Sequence, residues 1–181
     1  MSHPMISSLC FLLPLIILLL PSLISADQNT ISQACEQATP KDFCVSFLQA
    51  SPESQNSDIK GLAFLALKLA NQNATDESAQ IREYLRRQGN TDPAVQQAIS
   101  DCGVQYLDAT NQIDNAVLAL SVGAYSDVDR WVKAAITDID VCEDGIQKQT
   151  SGRAVEVSQK NIFVRQLFNM ALSVAHVYAQ K

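Results

Sequence analysis

The sequence contains few helix-breaking residues and few residues that support catalysis. Its 181 residues include six glycines, six prolines and only two histidines, His3 and His176. Long uninterrupted helices are therefore expected, and no segment has the alternating pattern of a β-strand. A Ser or Cys nucleophile needs a histidine held in place by a third group, and a lone His176 near the chain end does not provide that arrangement.

Other catalytic and cofactor signatures are missing as well. The chain has no phosphate-binding loop, no glycine-rich dinucleotide turn and no HExxH sequence. The carboxylates between Asp138 and Asp144 could suggest a glycosidase, but on a helix such a run is typical of a solvated face. The cysteines lack the CxxC spacing of a zinc site. We therefore expect a protein that is not an enzyme and that holds no metal and no cofactor.

The first 26 residues carry no Asp, Glu, Lys or Arg. Their apolar run from Leu9 to Leu20 is shorter than the roughly 20 residues needed to span a bilayer. Small residues follow it, with cleavage expected near Ser25 or Ala26, so residues 1–26 are predicted to be a signal peptide; an uncleaved anchor is the alternative. Removal of the peptide would leave a secreted domain, residues 27–181, with no membrane segment.

The net charge of -6 lies entirely in the predicted mature part, because the first charged residue is Asp27. An acidic surface repels nucleic acids and anionic polysaccharides, so neither is expected to be a direct ligand. It permits a basic protein as a partner.

Four cysteines remain once Cys10 leaves with the signal peptide, and an even number in a secreted protein predicts disulfides. Three pairings are possible. Cys35 and Cys44 would close a short local loop, which favours the pairs Cys35–Cys44 and Cys102–Cys142. Thr39-Pro40 lies between the first two, so that disulfide would clamp a helical hairpin over residues 27–52.

Four longer amphipathic helices are predicted over residues 57–181. The first extends to about Arg87, with a polar middle (residues 71–80) where a bend or an exposed turn could occur. The second has a regular apolar seam, formed by Val95, Ile99, Cys102, Tyr106, Ala109, Ile113, Ala116 and Leu120. The third is expected to begin at a capping box of Ser126 and Asp129. The fourth follows Gly152.

Short loops between these helices predict an all-α, up-down-up-down four-helix bundle with an N-terminal α-hairpin and two disulfides. In antiparallel packing, Cys102 near the start of the second helix lies level with Cys142 near the end of the third. Two surface features add to this picture. Asn73-Ala74-Thr75 is an N-glycosylation sequon, and Trp131 either anchors a partner or fills a groove of the bundle.

Several segments resemble the plant invertase and pectin methylesterase inhibitor family. They are CEQATPKDFC from Cys35, DCGVQYLDA from Asp101, WVKAAITDIDVCED from Trp131 and NIFVRQLFNMALSVA from Asn161. The resemblance spans the mature region. It implies a hairpin joined to a four-helix bundle, with the first cysteine paired to the second and the third to the fourth. It also implies inhibition of a carbohydrate-active enzyme of the plant cell wall or vacuole through one-to-one binding.

The resemblance suggests which enzyme is the target. Well-understood invertase inhibitors present a Pro-Lys-Phe motif in the turn before the third bundle helix, whereas this turn reads Gly123-Ala124-Tyr125-Ser126-Asp127. The turn and the helix after it look more like those of pectin methylesterase inhibitors, which cover the enzyme's pectin cleft. Val141 departs from the threonine usual there. Pectin methylesterase is thus the expected target, with acid invertase, or a non-inhibitory wall or pollen role, as alternatives.

The residues expected to contact the partner are Tyr125, Asp127, Asp129 and Val141. The expected location is the apoplast, with the vacuole as a second possibility.

Overall fold

The structure, a computed structural model, describes residues 28–87 and 92–181 of the 181-residue chain. The predicted signal peptide and Cys10 lie outside the described residues, as do residues 88–91, which follow the predicted end of the first long helix near Arg87. Every regular element within the described ranges is helical.

The N-terminal region folds as a hairpin of two short helices. Helix α1 covers residues 28–34 of the described chain, and α2 covers Lys41–Gln49. The turn between them carries the Cys35–Cys44 disulfide, whose Cα atoms are 5.7 Å apart, and both cysteines are fully buried. The hairpin is fixed to the bundle by Phe43 and Phe47, whose ring centroids each lie 6.2 Å from that of Phe163.

The polar stretch between the hairpin and the bundle is ordered. Residues Pro52–Asn56 form a 3-10 helix. Ser54 is buried and donates a hydrogen bond to the Ser51 carbonyl (2.7 Å), while Lys68 forms an ion pair with Glu53 at 2.9 Å. The hydrogen bond orders the connection locally, and the ion pair links it to the first bundle helix.

Four long helices form the bundle: α3 (Ile59–Arg86), α4 (Pro93–Ser121), α5 (Tyr125–Ile146) and α6 (Gly152–Ala179). They form a ring in which α4 and α5 pack together, and α3 and α6 close it on the opposite side. The predicted up-down-up-down fold class is confirmed. Three helices begin at side-chain caps that accept a backbone N–H, namely Asp58, Asp92 and Ser151.

The capping box predicted for α5 is wrong. The helix begins two residues earlier than expected, with Ala124 instead of Ser126 at the N-cap position and no side-chain cap. The turn is instead organised by its backbone, because Gly123 adopts φ +73° and the Ala124 N–H donates to the Ala119 carbonyl at 2.9 Å. A positive φ favours glycine at this position.

The bend considered for the polar middle of α3 does not occur. The helix is continuous because two of its polar residues, Glu77 and Ser78, face the core and are buried. Glu77 Oε1 lies 3.3 Å from Arg153 Nη2, and the Arg153 guanidinium also lies over the Tyr84 ring. Burial raises the pKa of Glu77, and the charge of Arg153 opposes that shift.

The interface of α4, α5 and α6 contains the second disulfide and a buried hydrogen-bond network. All eight residues of the predicted α4 seam are buried. Cys102 and Cys142 are bonded, with Cα atoms 4.6 Å apart. Beside them, the Tyr106 hydroxyl donates to Asn161 Oδ1 (2.9 Å), and Asn161 Nδ2 donates to Glu143 Oε2 (2.8 Å). Because the polar atoms of the network pair with one another, they fix how the three helices align.

Candidate partner-binding surface

The turn between α4 and α5 presents Tyr125 at one end of the bundle. Tyr125 is 36% exposed, and its ring packs edge-on against Tyr178 of α6 at a centroid distance of 5.6 Å. The side chain is therefore partly available for contact, and its orientation is set by its neighbour on α6.

Asp127 and Asp129 lie in the first turns of α5 and are engaged within the protein. Asp127 Oδ1 is 3.1 Å from Arg130 Nη2 on the same helix. Asp129 is 2.8 Å from Lys133 Nζ and 3.0 Å from His176 Nε2 of α6. The hydrogen bond from Lys133 is the main reason that the pKa of Asp129 lies below its usual value. Asp129 therefore connects α5 to α6, whereas Asp127 pairs within α5, and both carboxylates are partly exposed to solvent.

Val141 lies far from these three residues. It is half-exposed near the opposite end of α5, beside Cys142, in a shallow groove between α4 and α5. Sixteen residues separate it from Tyr125, which corresponds to about 24 Å along a helix axis. The structure therefore brings Tyr125, Asp127 and Asp129 together and places Val141 far from them on the same helix.

The outward face of α4 was not among the expected contact sites. Three aliphatic residues on it and one at its C-cap are each more than half exposed, at values from 51% to 78%; they are Val104, Leu107, Leu118 and, at the C-cap, Val122. Exposed aliphatic residues at helical spacing on one face are typical of a contact surface. The sequence carried this signal, since these positions lie opposite the buried seam at the same spacing of three and four residues.

Charge is divided unequally around the bundle. Helices α4 and α5 together carry nine carboxylates and two basic residues, Arg130 and Lys133. Helices α3 and α6 carry seven Lys and Arg residues and four carboxylates. The negative charge of the protein is thus concentrated on the α4–α5 side, where it favours a basic partner.

Two carboxylates on this acidic side interact across the helix pair. Asp138 Oδ2 of α5 accepts a hydrogen bond from Gln112 Nε2 of α4 at 2.8 Å, and Asp108 lies one turn before Gln112. Partial burial, and then the charge of Asp108, raise the pKa of Asp138 to about 6. The charge of the α4–α5 surface therefore changes in the mildly acidic range.

The remaining sequence candidates lie elsewhere. Asn73 is on α3, partly buried, and its Nδ2 donates to the Leu69 carbonyl at 2.8 Å. Trp131 is half-buried against the core, with the Arg130 guanidinium 5.0 Å from its ring. Within residues 28–87 and 92–181, no group of three or more His, Cys, Asp or Glu side chains is positioned to hold a metal ion. None of the helices in these ranges is long and apolar enough to span a membrane.

The acidic and partly aliphatic α4–α5 side can bind a protein partner. Known proteins indicate which family the chain belongs to. The profile of the plant invertase/pectin methylesterase inhibitor family matches residues 29–174. The chain belongs to this family. Relatives that match over most of both chains are named as inhibitors, and the interpretation of the chain as an inhibitor and not an enzyme agrees with them.

Relatives named for either target resemble the chain to a similar degree. A cell wall/vacuolar inhibitor of fructosidase from Arabidopsis thaliana is 31% identical over 169 residues, covering 90% of this chain and 93% of that protein. A pectinesterase inhibitor from Actinidia deliciosa is 28% identical over 146 residues, covering 78% of each. Overall similarity therefore assigns the chain to this family of inhibitors without selecting one target.

The fold comparison agrees with the family assignment. The crystal structure of a mutant form of a pectin methylesterase inhibitor from Arabidopsis superimposes with a TM-score of 0.68. It covers 83% of this chain and 95% of that one, at 22% sequence identity. At this identity the likeness establishes the shared bundle architecture.

Proposed function

We propose that this member of the family is a secreted inhibitor of plant pectin methylesterase. It binds the enzyme one to one and covers the cleft in which the pectin chain is bound. In this proposal, residues 1–26 are removed as a signal peptide and residues 27–181 act in the apoplast. The partner is a protein, and the inhibitor performs no chemistry of its own.

The sequence of the turn before α5 is the observation that favours pectin methylesterase as the target. This turn lacks the Pro-Lys-Phe motif with which invertase inhibitors address the sucrose site. It has no lysine, and its aromatic side chain, Tyr125, is packed against Tyr178. An inhibitor without that motif has lost the element that enters an invertase active site, whereas covering an extended cleft requires a broad helical surface.

The charge distribution supports the same proposal. The α4–α5 side, with nine carboxylates and two basic residues, favours a basic enzyme surface. Tyr125, Asp127 and Asp129 would contact the enzyme at one end of this side, and Val141 would contact it near the other.

Inhibition of acid invertase is the second candidate. It is favoured by the 31% identity, over 90% of this chain, with a protein named as an inhibitor of fructosidase. That relative's name also makes the vacuole an alternative location for this chain.

A parallel assay of both enzymes separates these candidates. Mature protein is titrated against purified pectin methylesterase and purified acid invertase at mildly acidic pH. We expect loss of esterase activity with an endpoint at one inhibitor per enzyme and no loss of sucrose hydrolysis. Full esterase activity in the presence of excess inhibitor would refute the proposal, and loss of invertase activity alone would establish the second candidate.

A further inference from the structure

The only N-glycosylation sequon of the chain lies in the middle of α3. Asn73-Ala74-Thr75 is the one place where an asparagine is followed, two positions later, by a serine or threonine. Thr75 and the neighbouring Gln72 and Asp76 are exposed, and Asn73 is partly buried. An N-linked glycan is bulky and needs a surface position, which this segment provides.

Asn73 lies on the stripe of α3 that faces α6. Glu77 is four residues further along and Tyr84 is eleven, which places all three residues on one face of the helix. Glu77 and Tyr84 both contact Arg153 of α6. A glycan on Asn73 would therefore leave the bundle on the α3–α6 side, opposite the acidic α4–α5 side.

The side-chain amide of Asn73 is engaged in the folded helix. Its Nδ2 donates a hydrogen bond to the Leu69 carbonyl at 2.8 Å, one turn earlier. Because the helix surrounds this amide, it cannot enter the active site of a transferase, and a sugar has to be attached before α3 packs into the bundle. A glycosylated amide keeps one N–H, so the finished helix can retain the bond to Leu69.

Residues 71–80 of α3 cannot complete their packing until α6 has been synthesised. Five of these ten residues are Asn, Thr, Asp or Ser, which have low helix propensity, so the helix here depends on tertiary packing. The buried Glu77 has its partner, Arg153, 76 residues later in the chain. At about 5–20 residues per second, roughly 4–15 s of synthesis separate the two. The sequon is open to modification during this interval.

We infer that Asn73 carries an N-linked glycan, attached as the chain enters the secretory pathway. Nδ2 attacks the anomeric carbon of a lipid-diphosphate-linked oligosaccharide and forms a bond to it. The bond from that carbon to the diphosphate oxygen breaks, and Nδ2 loses one proton as the lipid diphosphate leaves. The glycan covers part of the α3–α6 side and leaves the α4–α5 side open to a protein partner. This inference rests on the secretion step of the proposed function and not on the identity of the target enzyme.

Mass spectrometry of the full chain, expressed in and secreted from a plant host, tests the attachment. An amide-cleaving glycosidase in heavy-oxygen water converts a glycosylated asparagine into a labelled aspartate. We expect this label at Asn73 in the wild type and no glycan in Thr75→Val, which lacks the required hydroxyl but keeps the shape of the side chain. A secreted wild-type protein without a glycan at Asn73 would overturn the inference.

Asn169 of α6 provides a matched control. It is more exposed than Asn73, and its Nδ2 donates to the Arg165 carbonyl at 2.9 Å, also one turn earlier. Ala171 follows two positions later, so Asn169 does not belong to a sequon. Asn73→Gln should lose the glycan mass, whereas Asn169→Gln should keep it. Loss of the glycan from both variants, or from neither, would overturn the assignment to Asn73.

Inhibition assays test where the glycan lies. Glycosylated wild type and Asn73→Gln are titrated against the enzyme that the protein inhibits. Because the glycan lies away from the α4–α5 side, the two inhibition constants should agree within about twofold, the scatter of exposed substitutions. Weaker inhibition by the glycosylated protein, beyond that range, would overturn this placement.

The remaining outcomes separate the two proposals. A secreted protein that is glycosylated at Asn73 and inhibits neither enzyme would refute the proposed function and support the modification site. A secreted protein that inhibits pectin methylesterase without a glycan would support the function and overturn the modification site. A chain that stays unglycosylated in the cytosol would overturn both.

Discussion

The α3–α6 side and the α4–α5 side of the bundle differ in where their charged residues lie. The α3–α6 side holds a charged pair in which Glu77 is buried and Arg153 is partly buried, and these two helices carry more basic residues than acidic ones. The α4–α5 side is joined internally by a disulfide and is acidic and partly aliphatic outside. The charged pair of the α3–α6 side therefore affects mainly the stability of the fold. The carboxylates of the α4–α5 side lie mostly on the surface, where a partner can bind them.

Removal of the disulfides should have the largest effect, and it should differ between the two bonds. Cys102→Ala/Cys142→Ala opens a loop of 40 residues, which in the chain-entropy description costs about 4 kcal/mol. Cys35→Ala/Cys44→Ala opens a loop of nine and costs about 3 kcal/mol. Urea unfolding of both variants measures the difference. A larger loss from opening the hairpin bond would contradict this ranking.

Loss of the cation that pairs with the buried Glu77 should have the next largest effect. Arg153→Met leaves the Glu77 carboxylate without its partner in the core and should cost about 3 kcal/mol. Arg165→Met breaks a surface pair with Asp140, whose atoms are 3.1 Å apart, and should cost less than about 1 kcal/mol. The free energy of unfolding at neutral pH gives both values. Similar losses would show that the two pairs do not differ as their burial indicates.

The acidic side should show a smaller, pH-dependent effect. The pKa of Asp138 in the folded protein is about 6, above the value of about 3.9 in an unfolded chain. The folded state therefore holds the proton more tightly, and this contribution to stability is present below about pH 4 and is lost as the pH rises through about 6. After solvent screening is discounted, Asp138→Asn should be about 1 kcal/mol more stable than wild type at pH 7.

The same variant should match wild type at about pH 3 or below, where Asp138 is protonated in both the folded and the unfolded chain. Thermal unfolding across this pH range follows the change. Asp140→Asn is the control, because its carboxylate faces Arg165 instead of Asp108. An Asp138→Asn protein that is less stable than wild type at pH 7 would contradict the argument.

The sequence predicted those features that depend on local periodicity. The α4 seam from Val95 to Leu120 could be read directly, because its spacing matches one face of a helix. The bend considered for α3 was wrong because Glu77 becomes buried only through Arg153, which lies 76 residues away. Likewise, the cap predicted at Ser126 was overridden by the Gly123 turn, whose backbone geometry depends on how α4 ends.

The candidate surface was predicted only in part. Tyr125, Asp127 and Asp129 lie together as their neighbouring positions in the sequence suggest, but their pairing with Tyr178 and His176 requires the packing of α6 against α5. The aliphatic face of α4 was accessible from the sequence, since Leu107 and Leu118 lie opposite the seam. The division of charge between the two sides became apparent once the ring order of the helices was known.

Side-chain footprinting of the complex with pectin methylesterase is the most direct test of the difference between the two sides. Hydroxyl radicals label exposed leucine and isoleucine, so Leu107 and Leu118 on α4 and Ile162 on α6 report on opposite sides of the protein. We predict that the enzyme protects Leu107 and Leu118 and leaves the labelling of Ile162 unchanged. Protection of Ile162 with full labelling of both α4 leucines would contradict the account.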